Sequence, residues 1–368
     1  MYPTRLQRLY QSMQAARLDI VALNPGPTLY YLTGLSFHLM ERPVIGLFKP
    51  DQLPVLLLPD LERAKAEAGQ VEIMPISYAE DETSRLEAAE KAANAAGLNG
   101  RQVGVEAVRL RYLELSLLQQ AAPQAQFVEG GQALETLRLN KDPSEIQAMR
   151  RAVQIAEEAV QATLSTLKAG MQEREIATEL TLRLLQAGSE SELPFAPIVA
   201  SGPNSALPHA VAGDRRLQHG DLLILDWGAT YQGYISDLTR TFALGRPPAE
   251  LEQICRVVER ANGAGREAAA PGASCASVDQ AARGVIGDAG FGDFFIHRTG
   301  HGIGLEAHEA PYIRTDSPQL LQPGMTFTVE PGIYLPAKGG VRIEDDMLIT
   351  ETAAESLSSL PRQLQILE

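Results

Sequence analysis

Basic residues are the first shortage: 32 Lys and Arg stand against 46 Asp and Glu, giving a formal net charge of −14. No basic stripe is available to neutralise phosphates, which excludes a nucleic-acid partner and disfavours polyanionic substrates. Cysteine is nearly absent: Cys255 and Cys275 form no C-x-x-C pair and, without an export signal, read as reduced thiols. Long apolar runs are missing as well, so no segment is expected to span a membrane. The opening MYPTRLQRLYQSMQAARLDI has an amphipathic helical pattern and lacks the apolar stretch of a signal peptide. These absences together predict a cytoplasmic protein.

What is present is ordinary for a globular chain, 45% hydrophobic and 21% charged, and 368 residues exceed the size at which one core usually stays undivided. The first third alternates strand and helix patterns: strands at 19–23, 54–58 and 102–105, a turn at 24–27, and helices at 61–69 and about 109–121. Asp142 or Ser144 can cap a long helix, with Pro143 in its first turn, running to about Leu167. A domain boundary is expected just before it, giving units 1–137 and 138–368.

The second part carries an internal echo. Gly220 to Asp226 and Gly324 to Glu330 each begin with Gly and end six residues later in a carboxylate, and each is followed by a turn and a second carboxylate, Asp237 and Glu344. The two hairpins predict halves of a pseudo-symmetric sheet, each donating two oxygen ligands. Between them, residues 297–309 hold His297, His301 and His308 among glycines that predict irregular backbone able to approach a ligand.

A carboxylate taken into an apolar interior loses several kcal/mol of hydration unless something pairs with it. Four carboxylates with an imidazole form a hard donor set suited to Mn, Co, Zn or Fe(II), and about two divalent cations would balance them. Each piece also has a plainer reading. Asp237 can pair with Arg240 at a surface turn, Glu344-Asp345-Asp346 can be a solvated acidic patch, and His297 or His308 can be structural. Trp227 reads as core filling, and Gly300 to Gly304 lacks the Gly-Lys-Ser/Thr of a phosphate loop. The plainer readings must all hold at once, each in an apolar setting that penalises it.

Taken in order, residues 198–204 with Pro208-His209, 225–242, 297–311, 323–334 and 341–345 resemble the M24 metallopeptidase family. That family includes Xaa-Pro dipeptidase (prolidase), aminopeptidase P, methionine aminopeptidase and creatinase. The resemblance spans essentially 138–355, and Tyr30 to Gly34 resembles the creatinase-type N-terminal domain. It implies an α/β (α+β) chain: a creatinase-like N-terminal α/β domain, then a pita-bread catalytic domain with a pseudo-symmetric antiparallel sheet. It further implies a dinuclear centre of Mn, Zn or Co. Asp237 and Glu344 would bridge the ions, Asp226 would chelate one, and His301 with Glu330 would complete the other. A hydroxide shared by the ions would attack the scissile carbonyl, with Glu330 moving the proton and His308 donating to the oxyanion. His209 and His297 match positions that hold substrate, and Arg342 would fix a ligand carboxylate.

Retention of all five ligand positions separates the chain from scaffold relatives of the fold. Its N-terminal domain and Val-Arg-Ile-Glu-Asp context separate it from methionine aminopeptidases. What remains is the proline-specific branch, acting on small proline-containing peptides as a dipeptidase or, alternatively, as an aminopeptidase P. A dipeptidase must recognise a free carboxylate, for which Arg314 is a candidate. Arg42 and His38 are others, on a loop that in the family's homodimer can overhang the partner's site; a charged surface loop is the plainer alternative. Ala210 after His209, where many relatives carry an aromatic residue, bears on the pocket's shape and not on the metal chemistry.

Overall fold

The computed structural model describes residues 2–368, and the chain divides into two compact units between Arg138 and Leu139. In the first unit the chain order is α1 (Tyr2–Ala16), β1 (Ile20–Leu23), α2 (Pro27–Thr33), β2 (Ile45–Phe48), β3 (Val55–Pro59) and α3 (Arg63–Glu67). It continues with β4 (Met74–Tyr78), α4 (Glu82–Ala96), β5 (Gln102–Val105), α5 (Tyr112–Ala121), β6 (Gln126–Glu129) and α6 (Gly131–Glu135). The six strands form one mixed sheet in the order β4-β3-β2-β1-β5-β6. β1, wholly buried, is its continuous apolar centre. Helix α4 lays Ala88, Ala89, Ala92, Ala93 and Ala96 onto the sheet's core, a stripe at helical spacing whose small side chains allow close approach. The pattern at 61–69 resolves into a 3-10 turn, Asp60–Glu62, followed by the short α3.

The second unit opens with α7 (Pro143–Leu164). Its start is fixed by a capping box, in which Asp142 accepts from the Ser144 and Glu145 amides while Glu145 accepts from the Asp142 amide. The helix stops at Leu164, short of Leu167, where the Ser165 and Thr166 hydroxyls turn back onto the Ala162 and Thr163 carbonyls. Next come α8 (Glu173–Gln186), β7 (Ile198–Ser201), β8 (Leu222–Trp227), β9 (Thr230–Tyr231), β10 (Tyr234–Ile235), β11 (Leu238–Leu244), α9 (Ala249–Ala268) and α10 (Cys275–Asp288). The strands β12 (Gly300–Gly302), β13 (Glu309–Ile313), β14 (Thr326–Val329), β15 (Gly332–Leu335), β16 (Gly339–Arg342), β17 (Asp345–Ile349), β18 (Ala354–Ser356) and β19 (Gln365–Leu367) complete the chain.

The echoing hairpins lie in two sheets, β19-β11-β8-β7 and β13-β12-β14-β17-β18, bridged by Thr239 and Glu344. All their pairings are antiparallel except β11 with β19. Trp227 is fully buried, and its indole N–H donates to the Ala156 carbonyl at 2.9 Å, so it does fill the core. Residues 300–302 are strand, with a register shift between His301 and Gly302, while His297 and His308 stand on irregular backbone on either side. The glycines serve close packing: a Cβ on Gly300 would run into the Thr328 carbonyl, and one on Gly302 into that of Ala310.

Candidate metal centre

Strand geometry delivers the acidic side chains. Asp226 is the penultimate residue of β8, opposite Thr239, and Asp237 immediately precedes β11 after the Gln232-Gly233 turn. Glu330 follows β14, its amide bonded to the Thr299 carbonyl at 2.8 Å, and His301 is central in β12. Glu344 donates its amide to the Thr239 carbonyl at 3.0 Å, which carries it across from the other sheet. Asp226, Asp237, His301, Glu330 and Glu344 all line one pocket. Ligand atoms of Asp237, His301 and Glu344 lie within 4.8 Å of one another, and His301 Nε2 stands 3.4 Å from Glu330 Oε1 and 3.8 Å from Asp237 Oδ2.

Burial pushes Asp237 and Glu344 well above the usual carboxylate range, and neighbouring carboxylates push them further. Burial raises Glu330 to about 7. Asp226 is also raised: burial outweighs its ion pair with Arg342 Nη2 at 2.5 Å. His301 is held well below the usual histidine value, first by burial and then by His308, so its imidazole is neutral and free to ligate. Acceptors this close and this deeply buried repel one another when ionised, and a divalent cation among them removes the penalty. The fit to a metal is seen at Asp226, whose Oδ1 is buried without a hydrogen-bond partner among the described residues.

The plainer readings of the acids do not survive. Arg240 pairs with Asp345, not Asp237, and Glu344, Asp345 and Asp346 are at most 2% exposed. Thr239 Oγ1 donates to Glu344 Oε2 at 2.7 Å, and Asp346 accepts from the Asp237 amide at 3.1 Å, so the acids brace one another's positions.

His209, His297, His308 and Arg342 line the same pocket, beside an apolar wall that includes Phe195, Ile198 and Pro208. His308 meets the His301 ring edge-on at 4.2 Å. The two nitrogens of His297 contact the Arg298 carbonyl at 2.7 Å and the Tyr334 hydroxyl at 2.9 Å. Burial lowers His297 to about 4. Arg342 reaches Asp226, Tyr334 and Thr239 at once.

Arg314 is a correction. It lies one residue past β13, exposed, paired with Asp316 at 3.0 Å, and does not line the pocket. Arg42 and His38 belong to the first unit, where Arg42 contacts Glu80 and Glu41 and His38 is exposed. Two residues that the sequence does not single out also belong here: Arg298, which lines the pocket and stacks on Tyr312 at 4.8 Å, and Tyr334, whose hydroxyl meets His297 and Arg342. A basic residue directly after His297 was the only available signal for Arg298.

Residues 147–351 match the model of metallopeptidase family M24, and residues 5–140 that of the creatinase/prolidase N-terminal domain. The chain belongs to metallopeptidase family M24. It is 34% identical to the Xaa-Pro dipeptidase of Pyrococcus furiosus over 98% of this chain and 99% of that protein. A solved dipeptidase from Pyrococcus horikoshii superposes with a TM-score of 0.92 at 36% identity, covering 99% of this chain and all of the other. An X-Pro aminopeptidase from Thermotoga maritima gives 0.86 at 30% identity, covering 98% and 99%. The architecture is therefore the family's pita-bread catalytic domain with a creatinase-type N-terminal domain. Among the described residues no helix is long and apolar enough to cross a membrane.

Proposed function

We propose that this chain is a metal-dependent Xaa-Pro dipeptidase, hydrolysing the bond that joins any residue to a C-terminal proline. The observation that carries the reading is the convergence of five hard donors from separate strands in one pocket of an M24 chain. Asp237 and Glu344 would hold both of two divalent ions, Mn, Zn or Co, with Asp226 completing one set and His301 and Glu330 the other. Such ions, when bound, polarise a carbonyl and make water acidic enough to yield hydroxide near neutral pH.

The chain's own groups do the rest. Glu330, lining the pocket 3.4 Å from His301 Nε2, is the carboxylate placed to accept a proton and return it to the leaving amine. His308, lowered by burial, stands beside His301 to donate to the carbonyl oxygen as charge builds there. His209 and His297 flank the substrate, and Arg342 orients Asp226. Phe195, Ile198 and Pro208 offer a dry wall to the pyrrolidine ring. Arg298, with no ion pair among the described residues, is the cation available for a dipeptide's terminal carboxylate. A homodimer in which Arg42 and His38 reach the partner's pocket is part of the same proposal. So is a cytoplasmic location, in keeping with Cys255 and Cys275 as buried free thiols.

Similarity to the Thermotoga maritima X-Pro aminopeptidase favours a second reading, action on longer peptides. The deciding experiment strips metal with a chelator, restores Mn, Zn or Co, and compares Ala-Pro with Ala-Pro-Ala. Faster cleavage of the dipeptide supports the dipeptidase, and equal or faster cleavage of the tripeptide moves the assignment to the aminopeptidase. Inertness toward both with every metal would leave a binding or scaffold protein of the same fold.

A further inference from the structure

We infer that Glu173 is a positioning residue that fixes His209 in the pocket by closing the base of the loop that bears it. The inference rests on the reading above, in which His209 contacts the substrate. Glu173 begins α8 and is fully buried, an unusual location for a carboxylate in a helix's first turn. It reaches no metal-ligand candidate. Its Oε1 instead accepts from the Ser201 amide and hydroxyl, both at 2.8 Å, and from Asn204 Nδ2 at 3.1 Å. Its Oε2 accepts from Asn204 Nδ2 at 3.0 Å and from the Gly213 amide at 3.3 Å. One carboxylate therefore joins residues 201–204 to residue 213, the two ends of the segment carrying Pro208 and His209.

The tip of that segment has little apolar anchorage of its own. Leu207 is 60% and Val211 89% exposed, and among the described hydrogen bonds the Pro208 carbonyl is held by Arg342 only at 3.4 Å. Ser205, fully buried, accepts from the Gly340 amide at 2.8 Å and Ala210 is buried, so the rise of the loop is held there, and the rest of the fixation comes from the base. Backbone bonds reinforce it there: the Glu173 amide donates to the Arg215 carbonyl and the Arg174 amide to that of Gly213. Arg215 ties the Ser201 hydroxyl to Asp221. The other half of the unit repeats the device. Asp279 on α10 is fully buried and accepts from the Thr299 amide at 3.1 Å and hydroxyl at 2.7 Å, next to the His297–His301 segment. A carboxylate taking both donors of one Ser or Thr thus pins each histidine-bearing stretch to a helix.

The test is a double-mutant cycle on the metal-loaded full chain with Ala-Pro as substrate. In Glu173→Gln the amide nitrogen opposes donors it cannot accept from, which loosens the loop without removing volume. Since displacement by about 1 Å can cost on the order of 100-fold, kcat/KM should fall about 10- to 100-fold, with bound metal unchanged. In a His209→Ala background the same substitution should cost less than about 3-fold, because its effect already runs through the missing imidazole. Limited proteolysis of residues 207–213 should also be faster in Glu173→Gln. Equal losses of kcat/KM in both backgrounds, or an unchanged proteolysis rate, would overturn the assignment. If Glu173→Gln does not yield folded protein, Asn204→Ala carries the same cycle with the same outcomes. A wild-type chain inert toward Xaa-Pro peptides would defeat the functional reading, while proteolysis would still decide whether Glu173 holds the loop.

Discussion

Removing the Arg240 guanidinium should be among the most destabilising single changes in the second unit. Arg240 is 3% exposed and faces Asp345, which is fully buried, at 2.7 Å. It also donates to the carbonyls of Glu344 at 2.6 Å, Thr239 at 2.9 Å, Pro361 at 2.9 Å and Leu360 at 3.0 Å. The fork thus ties β11, the bridge that carries Glu344, and the C-terminal segment together. Arg240→Met keeps the length and deletes every donor. Breaking one side of a buried pair costs about 3–5 kcal/mol. Arg362 and Asn262 still contact Asp345 and keep the loss from going higher. At roughly 2–4 °C per kcal/mol for a domain of about 150–250 residues, Tm should fall by about 6–20 °C. The measurement belongs in chelator, so that metal binding does not mask the loss, with Trp227, the lone tryptophan, reporting on this unit. Arg362→Met should cost less, about 1.5–3 kcal/mol, because Arg362 is 19% exposed and leaves Arg240 in place. Burial pushes Asp345 up, but Arg240 and Arg362 bring it net below the usual carboxylate range. Its contribution is present above the unfolded value of about 3.9 and lost as pH falls through the lower folded value, so the Arg240→Met penalty should shrink in acid. A Tm drop under about 2 °C, or a larger drop for Arg362→Met, would refute this account.

Asp237→Asn should reduce bound metal per chain and lower kcat by at least about 100-fold. Full metal content with wild-type activity would remove Asp237 from the centre. Arg298→Ala should raise KM for Ala-Pro about 10-fold or more while changing Ala-Pro-Ala little, and equal effects on the two peptides would mean that it meets no terminal carboxylate. His297, lowered by burial to about 4, stabilises the fold fully above its unfolded value of about 6.5 and loses that contribution as pH falls through 4. In chelator, wild-type protein should lose about 3 kcal/mol across that window that His297→Phe does not, and parallel unfolding curves would contradict it. Asp345→Asn should cost about 3 kcal/mol or more and Asp346→Asn less than about 1, because an asparagine oxygen can still accept from the Asp237 amide; equal costs would count against the contacts described.

Legibility in the sequence followed how locally each feature is determined. The start of α7 could be read because Asp142, Pro143 and Glu145 carry all the chemistry of the cap within one turn. Gathering Asp226, Asp237, Glu330 and Glu344 in one pocket was foreseeable because buried carboxylates at strand ends need partners, and because the hairpins echo each other. Arg298, Tyr334 and Glu173 were not legible: an arginine after a histidine, a strand tyrosine and a first-turn glutamate are ordinary until packing aims them. Glycine content marks the irregular backbone that carries His297 and His308 but does not separate it from strand 300–302, where the same small residue allows the close approach of the Thr328 and Ala310 carbonyls. Arg314 lies close to His308 along the chain, but the strand ends at Ile313 and the next side chain meets solvent.

The run Glu344-Asp345-Asp346 shows why composition alone cannot separate a structural charge from a working one. All three side chains are buried, and consecutive residues of extended chain face opposite ways. Asp345 turns toward Arg240, Arg362 and Asn262, and the two guanidinium groups pull it below the usual carboxylate range. Glu344 and Asp346 turn the other way, toward Thr239 and Asp237, and burial drives both well above that range. One face of the run therefore has its charge balanced inside the protein, and the other leaves acceptor oxygens in want of a cation. The balanced face, through the bond from Arg240 to the Glu344 carbonyl, holds the backbone from which the unbalanced face projects. A carboxylate set this rigidly can stand close to Asp237 despite their repulsion, because folding energy from the arginine side offsets the cost of keeping the acids together.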